Sequence, residues 1–282
     1  MPRRGYVDGP FGQIHFQHLG EGAAVVLLHQ VPMTSGQFDL VYEPLARRGL
    51  WVIGIDMPGF GLSDPTPFIP KVEDYAQGIT PVLDALGIDR ASIVGHHTGA
   101  LVATEVAIQF ANRVDKLILN GPLPLTEEER ADYLASGHQW ELGFGPRPGG
   151  THLTELFAIR DGFAAGTVSP ERLSDYVVQA FSGRGAFWWG HHAAFQYRHE
   201  ESLAKITQPA MILTNTGDMI YPMAHRAHKI RPDFAFAELQ GGGVDIVDQQ
   251  PEAWVEIVAM YVGTSRVADS SQGNQQEHRV IN

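Results

Sequence analysis

The stretch Ser92-Ile93-Val94-Gly95-His96-His97-Thr98-Gly99-Ala100 constrains this chain more than any other. Residues 91–94 form a short apolar run that reads as a buried strand, and residues 98–110 read as a helix, so the chain must turn from one to the other within about three residues. Glycine stands two positions before and two positions after His97. A Cβ at either place would collide with the neighbouring element. A turn that tight lifts the central side chain above the sheet edge and aims the backbone N–H of Thr98 at the same point. Five residues in isolation fit an ordinary glycine-bounded turn equally well, so the rest of the chain must decide.

Strand-like runs recur at residues 23–29, 50–56, 91–94 and 116–120, and helix-period segments follow at 36–47, 72–86 and 98–110. This alternation predicts an α/β protein, a mostly parallel sheet with helices on both faces. Residues 6–18 carry the glycine-punctuated alternation of an antiparallel hairpin. From Pro122 to Lys205 the rhythm changes to helical segments, glycine-rich joints and many aromatics, after which strand patterns resume at 209–215 and 234–239 and a helix follows at 251–262. The expected organisation is a core of 1–121 plus 206–263 and an inserted helical cap of 122–205. The polar stretch 264–282 is expected to be a flexible tail, because it has too little apolar surface to offset the cost of ordering.

Composition narrows the partners. A chain of 282 residues that is 44% hydrophobic can bury a full core. Its 20 basic and 32 acidic residues give a formal charge of −12, which is unsuited to holding a phosphate backbone or an anionic membrane. No nucleic acid and no membrane are expected as partners; a small apolar molecule is, and a homodimer is left open. The absence of cysteine rules out disulfides, thiolate metal sites and a cysteine nucleophile. No apolar run follows the basic residues near Met1, and no window approaches 18 uninterrupted apolar residues, so a soluble, cytoplasmic protein is expected.

Several motifs occur together in one order. Leu27-Leu28-His29-Gln30-Val31-Pro32 follows the first core strand, Asp56-Met57-Pro58-Gly59-Phe60-Gly61-Leu62-Ser63-Asp64 follows the second, and Gly217-Asp218-Met219-Ile220-Tyr221-Pro222 and Gly241-Gly242-Gly243-Val244-Asp245 come late. With the turn at His97, these resemble the oxyanion loop, the aspartate-proline-glycine turn, the acid loop, the catalytic-histidine loop and the nucleophile elbow of the α/β-hydrolase superfamily. The resemblance runs from Gly12 to Val262. It implies the α/β-hydrolase fold with an inserted cap. It also implies, position by position, that His97 stands where the family has its nucleophile, Asp218 where it has its acid and Val244 where it has its histidine.

Two of three triad members are therefore replaced. Serine attack needs a hydroxyl and a base, and neither stands at its usual place. Loss of the nucleophile alone typically removes about a millionfold of rate. An imidazole, however, suits general acid or base work. Because Val244 is short, either ring nitrogen of His97 can approach Asp218 directly or through one water. His97 and Asp218 are thus the candidate catalytic pair. Val31 and Thr98 are the candidate oxyanion donors, and Gln30, which replaces a glycine common at that place, either binds substrate or faces solvent. With Val244, the cap aromatics Trp140, Phe144, Trp188 and Trp189 are the expected pocket wall, since pockets favour apolar surfaces with few polar groups. His29 and His96 read as structural, and Asp245 as a solvated turn residue. His191, His192 and His199 lack a carboxylate pattern that would complete a metal site, so neither a metal nor a cofactor is expected.

The leading functional reading is a cofactor-free enzyme with a histidine-based site. It would cleave a small apolar, aromatic or polyketide-like ester, lactone or ketone by a hydrolytic or lyase-type reaction. A second reading is a non-catalytic small-molecule-binding homologue. A third is that His97 or Val244 was introduced by mutagenesis, although both changes together beside Gln30 fit natural divergence better.

Overall fold

The computed structural model describes residues 1–263, and the expectation for the tail falls outside them. Eight strands form one sheet: β1 (Arg3–Gly9), β2 (Gly12–Leu19), β3 (Ala23–Leu28), β4 (Leu50–Ile55), β5 (Ala91–His96), β6 (Val114–Asn120), β7 (Ala210–Asn215) and β8 (Ala235–Leu239). Their spatial order is β1-β2-β4-β3-β5-β6-β7-β8. β1 and β2 make the expected hairpin, and β2 runs antiparallel to β4. Every pairing beyond β4 is parallel.

The central strands are continuous in apolar residues because both faces of the sheet are covered. Alternation survives in where each side chain packs. Val26 and Leu28 join the core formed with Leu101, Val102 and Tyr75, whereas Val25 and Leu27 join the core formed with Phe38, Leu45 and Trp254. Helix Thr98–Gln109 thus covers one face, and helices Tyr42–Ala46 and Pro251–Gly263 the other.

Two expected helices are broken. Over 36–47 there is a 3-10 turn, Ser35–Phe38, and then the short helix Tyr42–Ala46. The Thr34 hydroxyl caps the 3-10 turn by accepting from the Gly36 N–H (3.1 Å), and the Ser35 N–H, one of the first-turn donors without an intrahelical partner, donates to the Asp56 carboxylate (2.7 Å). Over 72–86 the chain divides into Val72–Ala76 and Ile79–Ala85.

Between β6 and β7 the described chain contributes helices and no strand, the longest being Thr151–Ala164 and Pro170–Ser182. This segment is tied to the core by polar contacts. Arg172 Nε donates to Asp248 (2.9 Å) and its Nη2 to the Gly36 carbonyl (2.9 Å), while the Tyr176 hydroxyl donates to Asp248. Buried His199 joins it to the helix after the elbow through Thr104 (3.0 Å).

Candidate active site

The turn after β5 has the geometry its glycines require. A Cβ on Gly95 would lie 2.0 Å from the Gly99 carbonyl oxygen, and one on Gly99 would lie 2.1 Å from that of Leu28. His97 itself sits at φ 50°, ψ −114°, a backbone state that costs a non-glycine residue on the order of 1–3 kcal/mol. The surroundings hold it there. The His97 N–H donates to the Asn120 carbonyl at 2.8 Å, and the His97 carbonyl accepts from Ala100 N at 2.7 Å. Asn120 is fixed in turn: its Oδ1 accepts from Trp254 Nε1 (2.7 Å) and its Nδ2 donates to the Leu213 carbonyl (3.3 Å).

His97 and Asp218 meet directly, with Nε2 to Oδ2 at 2.7 Å. Nδ1 of His97 has no hydrogen-bond partner among the described residues. The Asp218 side chain is inaccessible to solvent, and that of His97 is 15% exposed. Burial pushes the Asp218 carboxyl upward, but the charge and hydrogen bond of His97 and the Ile220 N–H on its other oxygen (3.1 Å) outweigh this. Together they hold it below the ordinary carboxylate range. Gly121 makes room for the ring: a Cβ there, at φ 71°, would lie 2.6 Å from His97 Cδ2. No sequence signal pointed to Gly121, because its neighbour in space is distant in the chain.

His97 opens into a cavity of about 290 Å³ with mostly apolar walls. Of the expected binding residues, Gln30, Val31, Thr98, Val244 and Trp140 line it. Phe144, Trp188 and Trp189 do not. Phe144 is buried behind the wall, stacked on Trp140 (centroids 4.6 Å) and Phe181 (5.9 Å), so it supports the lining without reaching the cavity. Trp188 and Trp189 pack edge to face on one another, and Trp189 lies against Gly185, which is hydrogen-bonded to the Gly59 carbonyl. Phe163, Phe187 and Phe195 take up the expected aromatic role.

Two polar assignments change. Asp245 is 2% exposed and not a solvated turn residue: it pairs with Arg160 of helix Thr151–Ala164 and accepts from Gln30 Nε2 at 3.3 Å. Burial raises its carboxyl above the ordinary range despite the opposing charge of Arg160. Gln30 is accordingly buried, with its N–H donating to Gln37 Oε1 (2.9 Å). Sequence reading missed Arg160 because its partner lies 85 positions away.

The remaining histidines separate. His29 accepts from the Met57 N–H at Nε2 (3.0 Å) and donates from Nδ1 to the Gln30 carbonyl (2.9 Å), joining the ends of β3 and β4. His96 accepts from Gln37 Nε2 at Nδ1 (2.6 Å), and burial pushes its pKa well down. His191 pairs with Glu141, His192 packs edge-on against Trp188, and His199 is bonded to Thr104 and Leu123. No group of three or more potential metal ligands is present among the described residues, and no helix among them is long and apolar enough to cross a membrane.

Comparison with known proteins agrees with this fold. A family model described as alpha/beta hydrolase fold matches residues 23–159. An uncharacterized protein of Mycobacterium tuberculosis is 28% identical over 276 residues, covering 91% of this chain and 80% of that one. The 2-hydroxy-6-oxo-6-phenylhexa-2,4-dienoate hydrolase of Comamonas testosteroni is 36% identical over 117 residues, 39% of this chain and 40% of that one. Among solved structures, E-2-(acetamidomethylene)succinate hydrolase superposes with a TM-score of 0.78 at 17% identity, covering 94% of this chain and all of that one, a likeness of fold. By strand order, elbow geometry and matched sequence, the chain has the α/β-hydrolase fold.

Proposed function

We propose that the protein is a cofactor-free hydrolase in which His97, oriented by Asp218, acts as a general base in place of a protein nucleophile. The observation that carries this reading is the 2.7 Å contact between His97 Nε2 and Asp218, which leaves Nδ1 for a reacting partner in the cavity. A carboxylate on one nitrogen sets the tautomer in which the other holds a lone pair. In the reaction, His97 Nδ1 takes a proton from water, and the water oxygen bonds to the carbonyl carbon of the substrate. The N–H groups of Val31 and Thr98 receive the charge that develops on the carbonyl oxygen. Cleavage of the adjoining C–O or C–C bond then returns the proton from His97 to the leaving group.

The apolar cavity favours an aromatic or otherwise apolar ester, lactone or ketone. The Comamonas relative supports a ketone, since its name describes a phenyl-bearing 6-oxo-dienoate as substrate. We assign residues 122–205 as the cap that closes over the site. The opposing reading, a binding protein without turnover, draws on the replacement of the usual nucleophile and histidine by His97 and Val244. Incubation with a panel of p-nitrophenyl arylacetates, aryl lactones and 1-phenyl-1,3-diketones separates the two. Product formation by the wild-type protein is expected; thermal stabilisation by these compounds with none consumed supports the binding protein instead.

A further inference from the structure

The cavity holds a second imidazole-carboxylate pair, on the cap. Glu141, on helix His138–Leu142, and His191, on helix Trp189–Gln196, both line it, and His191 Nδ1 is hydrogen-bonded to Glu141 Oε1. Glu141 is 5% exposed, and its other oxygen, Oε2, is buried without a hydrogen-bond partner. The His191 ring is also held parallel to that of Phe195 (centroids 5.5 Å, planes 11° apart), which stacks in turn on Tyr133 (4.7 Å). Carboxylate and stack together fix the plane of the imidazole. Nε2 of His191 has no hydrogen-bond partner among the described residues. The two pairs have opposite polarity: His97 engages its carboxylate through Nε2 and keeps Nδ1, whereas His191 engages its carboxylate through Nδ1 and keeps Nε2.

The pair joins two cap helices and also presents an imidazole nitrogen to the cavity. A buried carboxylate is costly, and one with an unsatisfied oxygen more so; such a group in a cavity wall is a candidate for a functional role. We infer that His191, positioned by Glu141, is the proton donor of this site, working across the cavity from His97. The inference rests on the reading of His97 as base. As His97 Nδ1 takes a proton from water, the water oxygen bonds to the carbonyl carbon and the carbonyl π pair moves to its oxygen. That oxygen takes the Nε2 proton of the His191 imidazolium, giving a neutral gem-diol, protonated His97 and neutral His191. When the adjoining C–C or C–O bond breaks, the leaving group takes the proton from His97. His191 recovers its proton from the diol, so both residues return to their starting states. The substrate class this fits is an apolar ketone or ester whose carbonyl oxygen meets the Val31 and Thr98 N–H groups on one side and His191 on the other.

The test uses 4-nitrophenol, whose phenol and phenolate forms differ in colour and whose anion mimics a developing oxyanion. The full chain is titrated with the probe at a pH where the free probe is mostly neutral, and the bound phenolate-to-phenol ratio is read by absorbance. Wild type is expected to enrich bound phenolate, and His191→Gln to lower the ratio about tenfold or more, as expected for loss of a charge-assisted hydrogen bond. His97→Gln should largely keep it. Glu141→Gln should lower it partly, and this variant carries the test if His191→Gln does not fold. An unchanged ratio in the His191 and Glu141 variants overturns the inference, as does a wild-type protein that binds only neutral phenol or none. Enriched phenolate without turnover of the ester and ketone panel removes the hydrolytic reading and leaves the donor in place.

Discussion

His199 should make the stability of this protein depend on pH in a calculable way. The ring is fully buried; its Nδ1 accepts from the Leu123 N–H at 3.1 Å, so Nε2 carries the hydrogen and faces the Thr104 hydroxyl at 3.0 Å. Burial pushes its pKa from 6.5 down to about 3, and a proton on Nδ1 would in addition face a backbone N–H. The folded pKa is thus below the unfolded one. Between the two values the unfolded chain takes up a proton that the folded chain refuses. The contribution of His199 is therefore complete above pH 6.5 and lost as pH falls toward 3. At about 1.4 kcal/mol per pH unit the whole interval amounts to on the order of 4–5 kcal/mol, and acidification to pH 4.5 removes about 2.7 kcal/mol. His29 and His96 are buried with depressed pKa values and act in the same direction, so a difference measurement is needed. Urea denaturation of wild type and His199→Gln from pH 7.5 to 4.5 supplies it. The variant should be the less stable at pH 7.5, and the gap should narrow by about 2–3 kcal/mol at pH 4.5. Parallel pH profiles would show that the His199 environment accommodates the charge and that the reasoning is wrong.

Three further outcomes follow from the site. Gly121→Ala should cost about 2–4 kcal/mol in urea, from the positive φ and the clash with His97, and should displace the imidazole from Asp218; a crystal structure of the variant with that contact intact would contradict this. Asp245→Asn leaves Arg160 buried without its counter-charge and should destabilise by about 3–5 kcal/mol, read as a shifted urea midpoint; a change under about 1 kcal/mol would mean that the pair is solvated. His97→Ser should not create an efficient esterase, because Val244 cannot deprotonate the new hydroxyl, whereas His97→Ser with Val244→His should do better on p-nitrophenyl esters. A strong acyl-enzyme burst from the single variant would reveal another base.

What could be read in the sequence followed from contacts local in the chain. The turn at His97 is specified by Gly95 and Gly99 within five residues, and the apolar runs at 23–29 and 91–94 announce strands buried on both faces. Of the helix breaks near residues 39 and 78, the first lies beside the bond from Ser35 to Asp56, 21 positions away, which leaves no local signal. For the second, Gly78 lies where a Cβ would press on Pro58 at 3.2 Å. The cavity wall was legible in kind and not in detail: composition announced aromatics, but which of Phe144, Trp188 or Phe187 faces inward depends on how short cap helices pack. Arg160, Glu141 and His191 escaped because an ion pair leaves no trace in the sequence when its partners are 85 or 50 positions apart.

The central claim is that His97, held by Asp218, is the base of the reaction. Its most direct test is kcat for wild type, His97→Ala and Asp218→Asn on a panel ester or ketone that the wild type consumes, with folding of each variant verified by circular dichroism. The account predicts a fall of about 10²- to 10⁴-fold for His97→Ala, the usual contribution of a general base, and a substantial fall for Asp218→Asn. Both variants turning over at the wild-type rate would contradict it and place the chemistry elsewhere in the cavity.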